Sequence, residues 1–452
     1  MIKTQVCIIG AGAGGIGCAY SLLKNGIKTV IVDKNSDFGG TMVFSGVDGW
    51  EPGVSLDGLH TILSSELLKI GDAHIVEGVP NLNIFDPSVG DDWSKHSLTE
   101  RPWGYAIARG ELSYGDTMKR CISLRGKDGP MRRFQFEPDA MRETVRRVLS
   151  PHSENLTEIF GYTYKSCKTA NGKVVSVTLS SKNGDTEVFA DYFIDASGDI
   201  VFARDAGCEH TIGCDGRADF GEPSATERKN SVNAVSYVFR IGKVEDPEHI
   251  DTPPCHAEKA GADWVSKYMP GIVSCFVKYP NGDINVNMLP TMQGMEFLEL
   301  GNEADEVGKA RVIEYWRYLQ TEKNMKGYTL KHIYDAGVRE SYRLVGKYVL
   351  REQDIRRGKP DLENYRRIAI ADHMMDVHGE GGIARELDEP YEIPLECTMT
   401  KEYDNLFVCC RGASFSHIAA SSARLSRTIL SMGEGVGEYI AEQFQNASFS
   451  EI

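Results

Sequence analysis

Gly10, Gly12 and Gly15 in VCIIGAGAGGIGCAYSLLKNGIKTVIVDK have the G-x-G-x-x-G spacing of a turn that closes tightly, approaches a pyrophosphate and opens a helix. The chemistry it serves is anion binding by backbone N–H groups at a helix N-terminus. Asp33 follows Gly10 by 23 residues, at the end of TVIVD, where a carboxylate can accept from both hydroxyls of an adenosine ribose. That carboxylate repels the extra phosphate of NADP, so NAD or FAD is expected. His373 and His378 flank MMDV, but no third ligand follows at a metal-site spacing, and no metal is expected. Cys208 with Cys214, or the adjacent Cys409 and Cys410, could form a redox pair, but neither is C-x-x-C and no neighbouring cation marks a thiolate, so a structural role is expected for both.

The elements that position these residues follow from periodicity. Val6 to Ile9 reads as a buried strand, and Ala19, Leu22 and Leu23 mark one face of the next helix. Phe136 to Leu149 is patterned as an amphipathic helix, and GKVVSVTLSSKNGDTEVFA as a hairpin turning at Asn183-Gly184. YFIDASGD returns to a buried strand. Strands in NAVSYVFRI and GDINVNML, a helix from about Asp305 to Lys323, and another in RESYRLVGKYVLREQDI are expected further on. The expected fold is α/β: a Rossmann-like domain whose parallel sheet carries an antiparallel hairpin insertion, plus a mixed α+β substrate domain. The nucleotide-binding domain is read in three parts (1–60, 131–215 and 390–452), with an insertion or cap at 61–130 and the substrate or cap domain at 216–389.

A formal charge of −15 disfavours nucleic acid and anionic membranes as main partners. No apolar run is long enough for a transmembrane helix, and the N-terminus does not read as a signal peptide. Eleven cysteines without a repeating spacing suit reduced thiols in a cytoplasmic protein.

Four blocks resemble one family. GAGAGG with VDK and FGGTMVFSGVDGWEPG, then FIDASGD, then RESYRLVGKYVL, then IPLECTMTKEYDNLFVCCRGASFSHIAASSARLSRTILSMGEGVG, are similar to FAD-dependent oxidoreductases, mostly bacterial, with a glutathione-reductase-like flavin domain. The resemblance implies FAD as cofactor. It implies pyrophosphate contacts at Gly10, Gly12 and Gly15, and ribose contacts at Asp33 beside Lys34. Gly39, Gly40 and Thr41 would line the flavin side, with Ser197, Gly198 and Asp199 near the dinucleotide. Arg411-Gly412 replaces the Gly-Asp that meets the ribityl chain in many other flavoproteins. The helix containing Gly433 would aim N–H groups at the flavin pyrimidine. Arg427 stands where similar sequences often have proline, and Glu434 where they often have glutamine. The absence of a second glycine turn of this kind argues against a separate NAD(P)H domain.

The function this implies is hydride transfer between a small polar organic substrate and flavin, of dehydrogenase or oxidase type, with an electron donor or acceptor that the sequence does not name. A homo-oligomer is compatible with the chain. His417 is the expected catalytic base because an unperturbed imidazole titrates near neutrality. Arg424, Arg339 and Arg343 are expected to hold an oxyanion or carboxylate, with an internal Arg339–Glu340 ion pair as the alternative. Trp50, Trp103 and Tyr105 are candidates for a substrate wall; Asp91-Asp92 and Glu303 to Glu306 are expected on the surface. The rival readings are a flavin monooxygenase and a non-catalytic FAD-holding protein acting through a partner.

Overall fold

Val6–Ile9 (β1), Ala13–Lys24 (α1) and Thr29–Asp33 (β2) form the opening βαβ unit. The computed structural model describes residues 1–50, 58–67, 69–70, 134–251, 256–279, 281–379, 382–385, 387 and 390–450. Trp103, Tyr105, Asp91-Asp92 and most of the expected 61–130 insertion lie outside them. Helices α2 (Leu59–Leu67) and α3 (Pro138–Leu149) precede β3 (Leu156–Phe160). Next come β4 (Thr163–Ala170), β5 (Lys173–Ser181), β6 (Gly184–Phe189) and β7 (Tyr192–Asp195). The third region contributes β8 (Ser236–Lys243), β9 (Val273–Lys278), β10 (Ile284–Leu289), α4 (Ala304–Thr321) and β11 (Tyr328–Gly337). The chain ends through α5 (Glu352–Arg357), β12 (Met375–Val377), β13 (Leu406–Val408), α6 (His417–Ala423) and α7 (Ser426–Ser450).

A five-stranded sheet runs β13-β7-β1-β2-β3, every pairing parallel. Its strands are continuous apolar runs because both faces are covered. Val6, Ile8, Ile31, Ile194 and Phe407 join the core beneath α1 and α7, while Cys7, Ile9, Val30, Val32, Phe193, Leu406 and Val408 join the core under the β4–β6 layer. The antiparallel β4-β5-β6 sheet is edged by Ile2–Lys3, which pairs parallel to β6. Because β13 pairs with β7, the last part of the chain completes the sheet begun at residue 6. The fold is therefore α/β and Rossmann-like, with a second antiparallel sheet, β9-β10-β8-β11, packed on α4 over its own core.

Helices α1 and α7 cross on glycine. A Cβ on Gly17 would lie 2.2 Å from Leu430 O, and one on Gly433 2.3 Å from Gly14 O, so any larger residue would force the helices apart. Gly433 is thus a packing glycine directed at α1.

The expected helix over RESYRLVGKYVLREQDI shrinks to α5. Arg343–Leu344 instead pairs antiparallel with His210–Thr211, and only Glu352–Arg357 is helical. The reason is tertiary: Gly346 presses on Met399 O, where a Cβ would stand 2.6 Å away, and Arg343 is drawn wholly into the interior.

Candidate active site

The carboxyl ends of β1, β2, β7 and β13 bring together most of the predicted binding residues. Gly12 is the N-cap residue of α1 and no side chain caps that helix, so the N–H groups of its positive end are left for another partner. Gly10 adopts φ 111°, and its missing Cβ leaves room for Ala196 O. From the next loop, Gly39 N donates to Ala11 O at 3.0 Å, and a Cβ on Gly40 would come within 2.7 Å of Gly12 Cα. Asp33 accepts from Ala11 N at 2.7 Å and from Asn35 N at 2.8 Å, so this carboxylate holds the glycine turn itself and retains lone pairs for hydroxyls. Lys34 is exposed beside it, and Thr41 lies in the short turn Gly40–Met42.

Just after β7, Ser197 donates to Asp195 Oδ1 at 2.6 Å, and Asp199 accepts from Ser341 Oγ at 2.6 Å and from Arg411. Burial would raise the Asp199 carboxyl, but Arg411 and Ser341 outweigh it and keep it ionised. Arg411 lies over Gly198, its Nε buried without an acceptor among the described residues. An uncapped helix start, a close-packed glycine turn and a buried Arg411 Nε without an acceptor among the described residues, gathered at the strand ends, fit the pyrophosphate of a dinucleotide.

His417 occupies different surroundings from those of a free base. Its Nδ1 meets both Glu340 oxygens at 2.9 Å, and its Nε2 meets Cys214 Sγ at 3.2 Å. Burial alone would lower its pKa, but the Glu340 carboxylate and the Cys214 contact push it up to about 10. The raised pKa favours the buried imidazolium at neutral pH, and both ring nitrogens are engaged. Arg343 is fully buried and equally committed: it pairs with Glu340, donates to Asp215 Oδ2 at 3.0 Å, and donates to Gly213 O and Phe415 O. Glu340 pairs with Arg343 and His417, whereas no ion pair joins it to Arg339 among the described residues.

Arg339 and Arg424 meet a second histidine. Arg339 Nη1 donates to Ala234 O at 2.8 Å and to Ser236 Oγ at 2.9 Å, both neutral acceptors. Burial and then the Arg424 charge lower its pKa to about 9. Arg424, at the C-cap of α6, reaches Asp376 O at 3.3 Å and Asp376 Oδ2 at 3.5 Å. Asp376 Oδ2 also accepts from His378 Nε2 at 2.7 Å, and these two side chains are 23% and 28% exposed. Burial lowers the His378 pKa, Asp376 opposes the shift, and Arg339 adds to it; the net direction is down, so His378 is neutral with Nδ1 as its acceptor nitrogen. Asn233 joins the two groups: it donates to Glu340 Oε2 from N at 2.9 Å and from Nδ2 at 2.7 Å, while its Oδ1 accepts from His378 N at 2.8 Å. Sequence reasoning noticed His378 only as a metal candidate and did not single out Asp376 or Asn233. A histidine two residues after an aspartate was the one available signal.

The two departures from the family pattern have structural outlets. Arg427 turns into the core and pairs with Asp372. Glu434 Oε2 accepts from Leu59 N at 2.9 Å and so caps α2. Burial raises the Glu434 pKa above the usual carboxylate value, with the Leu59 hydrogen bond opposing and Glu438 reinforcing the shift. The neutral form is thus favoured by folding, and the stability it contributes is lost as pH rises. Glu434→Gln is expected to raise Tm by about 2 °C at pH 7 and hardly at all at pH 4, read by thermal unfolding at both. Trp50 is a core residue, 1% exposed, with Nε1 donating to Ser426 Oγ and edge contacts to Phe136 and His60, so it forms no substrate wall.

Comparison with known proteins gives the following. The small chain of glutamate synthase [NADPH] from Halomonas elongata is 50% identical over 40 residues, 9% of this chain and 8% of that one. The 3-oxosteroid 1-dehydrogenase of Rhodococcus opacus is 35% identical over 54 residues, 12% of this chain and 11% of that one. The matches therefore span only a small part of these curated relatives. Among solved structures, aklavinone-11 hydroxylase with FAD and aklavinone is 12% identical, with TM-score 0.49, covering 98% of this chain and 63% of that one. A geranylgeranyl bacteriochlorophyll reductase-like protein from Thermoplasma acidophilum is 14% identical, with TM-score 0.46, covering 99% and 80%. No helix among the described residues is long and apolar enough to cross a membrane. The profile of the FAD dependent oxidoreductase family matches residues 5–449, nearly the whole sequence, and the chain belongs to that family of FAD-containing oxidoreductases.

Proposed function

We propose that this FAD-dependent oxidoreductase oxidises a small organic substrate carrying an anionic group, such as a 2-hydroxy acid, with a glutathione-reductase-like flavin domain supplying the cofactor site. The observation that carries the reading is the pair of guanidiniums beside a neutral histidine–aspartate dyad. Bound FAD would supply the two-electron acceptor for the substrate's hydride. Gly10, Gly12, Gly15 and the start of α1 would hold its pyrophosphate, with Asp33 on the ribose and Gly39, Gly40, Thr41, Gly198 and Asp199 along the dinucleotide. Arg339, whose hydrogen-bond acceptors among the described residues are neutral, attracts the substrate's anion, and Arg424 adds a second positive charge. His378 Nδ1 takes the hydroxyl proton as the C–H bond is broken, while Asp376 holds the opposite N–H and stabilises the imidazolium that results.

The test is anaerobic bleaching of the flavin absorbance across paired substrates: 2-hydroxy acids, the matching neutral alcohols and the matching amides. Bleaching by the acids, at least about ten-fold faster than by their neutral counterparts, is the expected result. Equal rates for acids and neutral compounds would overturn the anionic-substrate reading. Bleaching only by an external reductant, followed by oxygen-dependent hydroxylation, would establish the monooxygenase instead.

A further inference from the structure

The Cys214–His417–Glu340 chain has no part in the proposed hydride chemistry. Cys214 is half-buried on the loop where it bridges to Lys229, and its sulfur turns inward to His417 Nε2 at 3.2 Å and to Ser231 O at 3.1 Å. The far side of the imidazole is fixed by Glu340, which is itself held by Arg343 and by two donors from Asn233. Asp215, next in sequence, is neutralised by Arg343 and by the His417 backbone N–H at 2.7 Å, with Arg228 at 4.0 Å. A cysteine, a histidine and a carboxylate in this order place a cation against sulfur and leave its counter-charge on the far side of the ring.

We propose that Cys214 is a peroxide-reactive thiol, activated by the His417–Glu340 pair and oxidised to a sulfenic acid by hydroperoxides. With the thiol proton lost to solvent, the sulfur attacks one peroxide oxygen and an S–O bond forms as the O–O bond breaks. The leaving hydroxide takes the Nε2 proton of His417 and departs as water. Sulfur loses two electrons and the peroxide gains them, so no further oxidant is required. The neutral imidazole left behind then regains a proton from solvent. Cys167 is an internal reference, because it is also half-buried but has no cation against it: burial first, then Asp205, raises its pKa, with the Tyr164 contact opposing.

The experiment exposes the FAD-loaded protein to stoichiometric hydrogen peroxide with dimedone and reads each cysteine by peptide mass spectrometry. Cys214 is expected to be labelled at least about ten-fold faster than Cys167, and Glu340→Gln to slow Cys214 by about ten-fold with Cys167 unchanged. Labelling of Cys214 at the rate of Cys167 in the unmodified protein would overturn the proposal, and so would a Cys214 rate unaffected by Glu340→Gln. Because the first comparison needs no variant, failure of Glu340→Gln to fold leaves it decisive.

Discussion

Glu340→Ala is expected to destabilise the protein by about 3–5 kcal/mol and to lower Tm by about 3–5 °C, because it removes the carboxylate that keeps two buried cations paired. Arg343 is fully buried, and His417 is 6% exposed. Without Glu340, Arg343 keeps Asp215 as its one carboxylate, His417 keeps no carboxylate on its ring, and two Asn233 donors lose their acceptor. The pH dependence has a definite sign. Burial would raise the Glu340 carboxyl, but His417 and Arg343 hold it at about 2, so its stabilisation is complete above the unfolded value of 4.5 and is lost as pH falls toward 2. For His417, raised to about 10, the stabilisation is complete below 6.5 and is lost as pH rises through 10. Both statements describe one interaction, so unfolding free energy should peak between pH 4.5 and 6.5 on its account and flatten on both sides in the variant. Denaturant unfolding across that range measures it; a Tm change under about 2 °C at pH 6 would show that the network carries little of the fold.

How far the sequence could be read depended on whether the deciding contacts were local. β1 and β2 were legible residue for residue, since a fully covered strand must be apolar throughout and the glycine turn must follow it. The pattern of α4 was read to within two residues at each end, as its buried positions recur on one face. RESYRLVGKYVLREQDI failed as a long helix because its fate is set by Met399, Asp215 and the His210–Thr211 strand, none of them near in sequence. The site divides in the same way. The dinucleotide residues are contiguous motifs at strand ends, and they gather where the topology demands. His417 was singled out for an imidazole's ordinary pKa, yet burial against Glu340 and Cys214 changes that property, and one sequence carries no record of which carboxylate arrives. His378 was noticed only as a metal candidate for the converse reason: its neutrality comes first from burial and then from Arg339, 39 positions earlier, and Arg424, 46 positions later.

Which of the two histidines is the base is the sharpest test of the proposed site. His378→Ala is expected to retain FAD and a native Tm while slowing substrate-driven flavin bleaching by about 10²–10⁴-fold, the usual range for loss of a positioned base. In the unmodified protein the acid limb of the bleaching rate should lie below pH 6.5, because burial and Arg339 together favour neutral imidazole despite Asp376. The limb should vanish in the variant. His417→Ala should instead lower Tm at neutral pH, since it removes one of the two cations facing Glu340. If His378→Ala bleaches at the unmodified rate while folded His417→Ala loses the acid limb, the base is His417 after all, and the imidazolium must release its proton when substrate enters. If neither variant moves the limb, proton removal belongs to a group outside both clusters, and the guanidinium pair would be left as a binding site alone.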